Sequence, residues 1–262
     1  MTGRVEGKVC VVTGGAQGIG EGIARGLAAE GAAVVIADLN GDRAKNVADS
    51  IVSAGQRASS FQVDVGEREQ IAATFDHALS TFGGLDVVFN NAGFNVPMKF
   101  LTVTEENWTS IMRVNGLGVL MGMQEAAKRM IASGKGGKII NTASIAGRQG
   151  FPDIAPYCSS KAAVIMLTQA GAKELAPHNI TVNGFAPGVV ATPLWDKLDQ
   201  DLIDIGASSK PGEAIEAFSA GILLGRPAMP EDLAPMGVFM ASKDSDYITG
   251  QIIMIDGGMV LV

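Results

Sequence analysis

Lys8-Val9-Cys10-Val11-Val12-Thr13-Gly14-Gly15-Ala16-Gln17-Gly18-Ile19-Gly20 is an apolar run that ends in a glycine cluster and passes into a helical pattern lasting to about Glu30. It reads as strand, tight loop and helix. The glycines fit Gly-x-x-x-Gly-x-Gly in the context a dinucleotide-binding turn requires. Glycines let backbone N–H groups approach a pyrophosphate, and the helix N-terminus adds partial positive charge. The expected contacts are Gly14, Gln17, Gly18 and Ile19.

The same rhythm continues outward. Strands are expected at Ala33–Ala37, Ala58–Val63, Asp86–Asn90, Gly137–Thr142, Ile180–Ala186 and Gln251–Asp256, with helices at Asp42–Ala54, Arg68–Phe82, Glu105–Ser133 and Ala155–Ala176. Such alternation predicts an α/β fold, a single-domain Rossmann-like doubly wound parallel sheet with helices on both faces. No linker or internal repeat divides residues 1–262, so one domain is expected. Residues 187–230 are irregular and rich in Pro, Gly and Ser, with helical pieces at Leu194–Ile205 and Glu213–Gly221. A long irregular insertion of this kind predicts a substrate lid.

Strand ends carry the next signals. Asp38 closes the second strand about 20 residues beyond the glycine loop, where a carboxylate accepts from the adenosine ribose. With Gln17 in the loop rather than Lys or Arg, a carboxylate there repels the 2′-phosphate of NADP, so NAD is the expected cofactor. Leu39 follows at the same edge. Asp64 and Val65 end the third strand near the expected adenine, and Asn90-Asn91-Ala92-Gly93 ends the fourth with small residues that let backbone lie against a cofactor.

Tyr157-Cys158-Ser159-Ser160-Lys161 puts a phenol and an ammonium four residues apart, on one helix face. A neighbouring cation stabilises phenolate, so Lys161 is expected to lower the Tyr157 pKa and fit it for proton transfer near neutral pH.

Composition narrows the function classes. A net charge of −7 gives no basic field for a nucleic acid, and 47% hydrophobic residues with 18% charged allow a sizeable core. Met1 to Lys8 lacks the apolar core of a signal peptide, and no apolar run is long enough for a membrane span, so a soluble cytoplasmic protein is expected. Cys10 and Cys158 suggest no disulfide framework. His77 and His178 lack ligand-spaced neighbours, read as surface residues, and imply no metal. Apolar residues run nearly all round the helix containing Ile111, Met112, Leu117, Val119, Leu120, Met121, Met123, Met130 and Ile131. The run Ala162–Leu167 is similar, and the chain ends Met259-Val260-Leu261-Val262. These surfaces predict a homo-oligomer.

Together the glycine loop, the Asn-Asn-Ala-Gly and the Tyr-Cys-Ser-Ser-Lys resemble the short-chain dehydrogenase/reductase family from about Val5 to Met259. The resemblance implies a catalytic tetrad at Asn115 (in Arg-Val-Asn-Gly), Ser144 (in Asn-Thr-Ala-Ser), Tyr157 and Lys161. It assigns Gly14, Gln17, Gly18, Ile19, Asp38, Asp64, Val65, Asn91 and Gly93 to the cofactor. Pro187, Gly188, Val190 and Thr192 would lie near the nicotinamide. Tyr157 would then exchange a proton with the reacting oxygen, Ser144 would hydrogen-bond that oxygen, Lys161 would also hold ribose hydroxyls, and Asn115 would hold a relay water. A tetramer is implied as well. Gly-Met-Gln-Glu-Ala-Ala, Gly-Gly-Lys-Ile-Ile-Asn and Ser-Asp-Tyr-Ile-Thr-Gly-Gln are most similar to acetoin, diol and polyol dehydrogenases. The expected substrate is a small secondary alcohol or ketone. An NAD-dependent hydroxysteroid or 3-hydroxyacyl dehydrogenase and, in another class, a non-catalytic dinucleotide-binding regulator stay open. Asn95, Gln149 and Asp153 are polar candidates for substrate contact; Phe94, Phe151, Leu194 and Trp195 are apolar ones.

Overall fold

β1 (Val9–Thr13) is buried at all five positions, the continuous rather than alternating pattern of a strand covered on both faces. Its side chains divide by parity: Val9 and Val11 join one core, Cys10 and Val12 the other. The computed structural model describes residues 3–261. Within them β1 is joined by β2 (Ala33–Asp38), β3 (Arg57–Gln62), β4 (Val87–Asn90), β5 (Gly137–Thr142), β6 (Ile180–Pro187) and β7 (Ile252–Ile255). All pairings are parallel, and the order is β3-β2-β1-β4-β5-β6-β7. The order reverses between β1 and β4, so a crevice opens at their carboxyl ends.

α1 (Gly18–Ala29), α2 (Gly41–Ser53) and α9 (Pro230–Ala241) cover one face. Their Ile23, Leu27, Val47, Ile51, Leu233 and Val238 meet Val12, Val34, Ile36 and Phe89. α3 (Arg68–Phe82), α5 (Gly118–Ser133) and α6 (Ala155–Leu175) cover the other face. There Phe75, Met130, Val164 and Ile165 pack on Val11, Val88, Ile139 and Val182. α4 (Glu105–Met112) precedes α5, and α7 (Pro193–Asp204) and α8 (Glu213–Ser219) lie within the expected lid segment.

Four expectations change. The helix anticipated as one piece over Glu105–Ser133 is α4 and α5 joined by a wider π-helical turn, Arg113–Leu117. α9 was not anticipated, because its Pro235 reads as a break. It is held by close packing on α1, where a Cβ on Gly22 would sit 2.8 Å from the Pro230 carbonyl oxygen and one on Gly26 3.0 Å from the Ala234 Cβ. The apolar faces of α5 and α6 mostly bury within the chain, leaving a narrower exposed set that includes Trp108, Leu117, Ile131 and Met166. His77 is not a surface residue either: it is half-buried on Phe61 with Nε2 3.1 Å from the Ser59 hydroxyl, while His178 is exposed. Among the described residues no helix is long and apolar enough to cross a membrane.

Candidate active site

The β1–α1 loop needs its glycines. Gly14 and Gly18 have φ of 63° and 55°, in the left-handed region, and a Cβ on Gly20 would lie 2.1 Å from the Gly14 carbonyl oxygen. α1 begins without a side-chain cap, so its first-turn N–H groups remain available to an anion. Asp38 braces the loop, its Oδ2 accepting from the Ala16 N–H at 3.1 Å and its Oδ1 from the Asn40 N–H at 3.0 Å. Each oxygen retains acceptor capacity toward the cleft. Arg43 on α2 escaped the sequence reading. Its Nη1 donates to Gln17 Oε1 at 2.7 Å, bringing a guanidinium to the loop expected to have no cation. The signal was a basic residue in the first turn after Asp38.

Above the switch point lies a cleft of about 560 Å³. Gly14, Gln17, Gly18, Ile19, Asp38, Leu39, Asp64, Val65, Asn91, Ala92, Gly93, Tyr157, Lys161, Pro187 and Thr192 all line it. Gly188 and Val190, expected near it, do not border it. The Gly188 N–H donates to the Ile255 carbonyl, and the Val190 side chain is buried in the core below.

Asp64 is tied up more than its sequence position suggests. Its Oδ1 accepts from the Gly66 N–H at 2.8 Å and its Oδ2 from Arg113 Nη2 at 3.0 Å. Desolvation alone would raise its pKa, but these bonds hold the carboxyl below its usual value. Arg113, also missed from sequence, lines the cleft at the start of the π-helical turn and donates to Glu67 as well. Asn115, in the same turn, is fully buried. Its Nδ2 donates to the Phe94 carbonyl at 2.9 Å and to the Ser160 hydroxyl at 3.2 Å, and its Oδ1 accepts from the Phe94 N–H at 3.0 Å. Its side chain thus clamps the loop after β4.

At the floor, Lys161 is 4% exposed and donates from Nζ to the Thr142 carbonyl at 2.8 Å. An ammonium has three N–H donors, so two remain for the cleft. Burial lowers its pKa to about 8. The Nζ lies 5.6 Å from the centre of the Tyr157 ring. The Tyr157 phenol nonetheless departs from the expected depression: desolvation pushes it up to about 12, with a hydrogen bond to Ser144 acting in the lowering direction. In this arrangement burial outweighs the Ser144 hydrogen bond. Ser144 is buried, and its Oγ accepts from the Ala146 N–H at 3.1 Å. With that lone pair taken, its one hydroxyl proton faces the Tyr157 oxygen, the side on which a reacting oxygen would compete for it.

Substrate-side candidates separate clearly. Phe94 and Leu194 line the cleft. Phe151 packs on the Tyr157 side of the site and meets Phe218 of α8, which in turn meets Trp195 of α7 at a centroid distance of 5.6 Å. Asp153 is paired with Lys99 at 3.1 Å, Gln149 is exposed, and Asn95 is buried with an unpartnered Oδ1. Thr192 brings the chain after β6 over the glycine loop, its Cγ2 3.1 Å from the position of a Cβ on Gly18.

A dinucleotide fits these residues. The glycine cradle has space a side chain would fill, the α1 N-terminus is uncapped, and Asp38 and Lys161 stand at separate parts of one cleft with hydrogen-bonding capacity to spare.

Comparisons with known proteins agree with this geometry. The family profile described as Enoyl-(Acyl carrier protein) reductase matches residues 14–260. The chain is 44% identical over 256 residues to L-2,3-butanediol dehydrogenase of Corynebacterium glutamicum, covering 97% of this chain and 98% of that one. It is 41% identical over 255 residues to galactitol 2-dehydrogenase of Agrobacterium fabrum, with 97% and 98% covered. A crystal structure of a short-chain type dehydrogenase/reductase from Mycobacterium marinum matches at TM-score 0.90 and 35% identity over 98% of this chain and 97% of that one.

Proposed function

From the premise that this chain belongs to the short-chain dehydrogenase/reductase family, and is therefore an oxidoreductase of secondary alcohols and ketones that uses a nicotinamide dinucleotide, we propose that it is an NAD-dependent dehydrogenase of small vicinal diols or polyols. The observation that carries the reading is the meeting of Tyr157 and Lys161, with Ser144 beside Tyr157, in the cleft that also holds the glycine loop and Asp38. The substrate class draws support from relatives named for a 2,3-diol and for galactitol.

When bound, NAD supplies the acceptor for hydride and NADH its donor. The protein orients the reactants and moves the proton. Tyr157 exchanges a proton between its hydroxyl and the substrate oxygen. With its pKa up to about 12 the phenol keeps its proton through the neutral range, the form that protonates a ketone oxygen during reduction. Ser144 donates to the same oxygen and fixes its position. Lys161, a cation below its pKa of about 8, offers donors to ribose hydroxyls and favours any phenolate formed beside it. Asn115 keeps the Phe94 loop in place against Lys161 and Gly93.

NAD is preferred over NADP because the Asp38 carboxylate stands at the ribose end, where Arg43 is held by Gln17 and Lys45 by Asp49. Residues 187–230 act as the lid, the enzyme works in the cytoplasm, and exposed Trp108, Leu117 and Met166 meet a second copy within a tetramer. The test is spectrophotometric reduction of NAD with a panel of diols and alditols. Turnover with 2,3-diols or alditols, lost in Tyr157→Phe, is expected. An inert panel, or wild-type turnover in the phenylalanine variant, would overturn the proposal.

A further inference from the structure

The π-helical turn Arg113–Leu117 touches both halves of the cleft. On the catalytic side Asn115 holds Phe94. At the other end the Arg113 guanidinium packs against Gly66, where a Cβ would lie 2.4 Å from Cζ, and bonds Asp64 and Glu67. The same turn is followed by Gly118, which packs so tightly on Val65 that a Cβ there would be 2.9 Å from the Val65 carbonyl oxygen. Arg113, Asp64 and Val65 all border the cleft. A cation half-exposed on a nucleotide cleft, one of whose two carboxylate partners is itself a lining residue, is a second-tier contact that the proposed chemistry leaves without a role.

We propose that Arg113 is a positioning residue for the adenine end of the dinucleotide, acting through Asp64 to select adenine among bases. The inference rests on the reading of this cleft as a dinucleotide site. The argument is one of donors and acceptors. With Oδ1 fixed by the Gly66 N–H and Oδ2 by Arg113, the Asp64 carboxylate has one orientation, and its remaining lone pairs make it an acceptor and nothing else. Adenine presents an exocyclic amino group as donor at its 6-position, which such a carboxylate accepts; hypoxanthine presents an oxygen there, which the carboxylate repels. Without Arg113, Asp64 keeps only the Gly66 contact, turns more freely, and loses its fixed aim. Glu67, the guanidinium's other partner, does not border the cleft and serves to anchor Arg113.

The experiment is calorimetric titration of the wild-type protein, Arg113→Ala, Arg113→Lys and Glu67→Gln with NAD and with nicotinamide hypoxanthine dinucleotide, in the absence of any alcohol. The wild type is expected to bind NAD roughly tenfold more tightly than the hypoxanthine analogue, the value of one hydrogen bond to a charged group. In Arg113→Ala the ratio should fall below about threefold, mostly through weaker NAD binding, while Arg113→Lys falls between and Glu67→Gln keeps most of the preference. Circular dichroism checks that each variant is folded. A merely structural arginine would weaken both nucleotides equally, so an unchanged ratio in a folded Arg113→Ala protein overturns the inference, as does a wild type with no preference. Binding of neither dinucleotide to the wild type would be a different failure, that of the cleft reading itself, and would take this inference with it.

Discussion

Replacing Lys161 with methionine is expected to stabilise the fold while abolishing turnover. Lys161 is buried, and burial lowers its pKa from 10.5 to about 8. At about 1.4 kcal/mol per pKa unit, keeping the ammonium charged in that environment at neutral pH costs roughly 3 kcal/mol. Methionine has a similar reach and no charge. Its cost is the lost donor to the Thr142 carbonyl, about 1–3 kcal/mol if that buried acceptor finds no other partner. The difference leaves Lys161→Met more stable by roughly 0–2 kcal/mol near pH 7. A gain near the top of that range would raise Tm by about 4–8 °C.

The pH dependence is the sharper measurement. Between the folded pKa of about 8 and the ordinary 10.5, the unfolded chain binds a proton that the native lysine has released. More protons on the unfolded state means that wild-type stability rises with pH across this window. The methionine variant has no such gain, so its advantage is present below about pH 8, shrinks above it, and reverses as pH nears 10. Urea denaturation of both proteins at about pH 7 and about pH 9.5 reads the difference, a window in which Tyr157 remains protonated. A Lys161→Met protein more than about 1 kcal/mol less stable than wild type at neutral pH, with a difference that does not change with pH, would refute the reasoning.

Three further outcomes follow from the site. Asn115→Ala removes the partners of both the Phe94 N–H and its carbonyl, so it should lose about 2–4 kcal/mol in chemical denaturation and a large part of its turnover; wild-type stability would mean the loop is held elsewhere. In a Tyr247→Phe protein, Tyr157 is the remaining tyrosine, and ultraviolet titration without nucleotide should detect little phenolate below pH 10, in keeping with a pKa of about 12; a midpoint below 10 would overturn the dominance of burial at this phenol. Asp38→Ala should narrow the ratio of kcat/KM for NAD over NADP by roughly tenfold, because the carboxylate leaves and Arg43 stays; an unchanged ratio would remove Asp38 from cofactor choice.

How far the sequence could be read depended on how local each cause was. The parallel sheet was legible because β1, β2 and β4 are short apolar runs ended by Gly, Asp and Asn, and the cleft-lining strand ends announced themselves by residue type. Features made by contacts between distant segments were not. Nothing beside Arg113 in the sequence says that Asp64 and Glu67 lie against it, 49 and 46 positions away. The wider turn around Asn115 has no sequence signature, since its residues also suit an α-helix. α9 was hidden by Pro235, whose disruption is offset by packing on α1 through Gly22 and Gly26. The direction of the Tyr157 pKa was hidden for a related reason: a lysine one turn away is visible in sequence, whereas the desolvation that raises the phenol is a property of the assembled fold.

The Asn-Asn-Ala-Gly at the end of β4 borders the cleft and also braces it. Thr13 Oγ1 donates to the Phe89 carbonyl at 3.1 Å and accepts from the N–H groups of Asn91 and Ala92 at 3.0 and 3.2 Å. Asn91 Nδ2 donates to the carbonyls of Thr13 and Gly14 at 3.0 and 3.2 Å, and its Oδ1 accepts from the Thr142 hydroxyl at 3.1 Å. Both amide protons are therefore committed to the glycine loop, and the oxygen to β5. Thr142 in turn accepts from Lys161 through its carbonyl. At the switch point the sheet splits and backbone groups lose their neighbouring strand, so these side chains supply the partners that would otherwise be missing. The consequence is a continuous polar chain from Gly14 through Asn91 and Thr142 to Lys161, in which the Asn91 amide is fully committed and the Lys161 ammonium is anchored by one of its three donors. What binds the glycine loop is thereby held in fixed register with the ammonium at the floor of the cleft, the condition that hydride transfer between two separately bound reactants imposes.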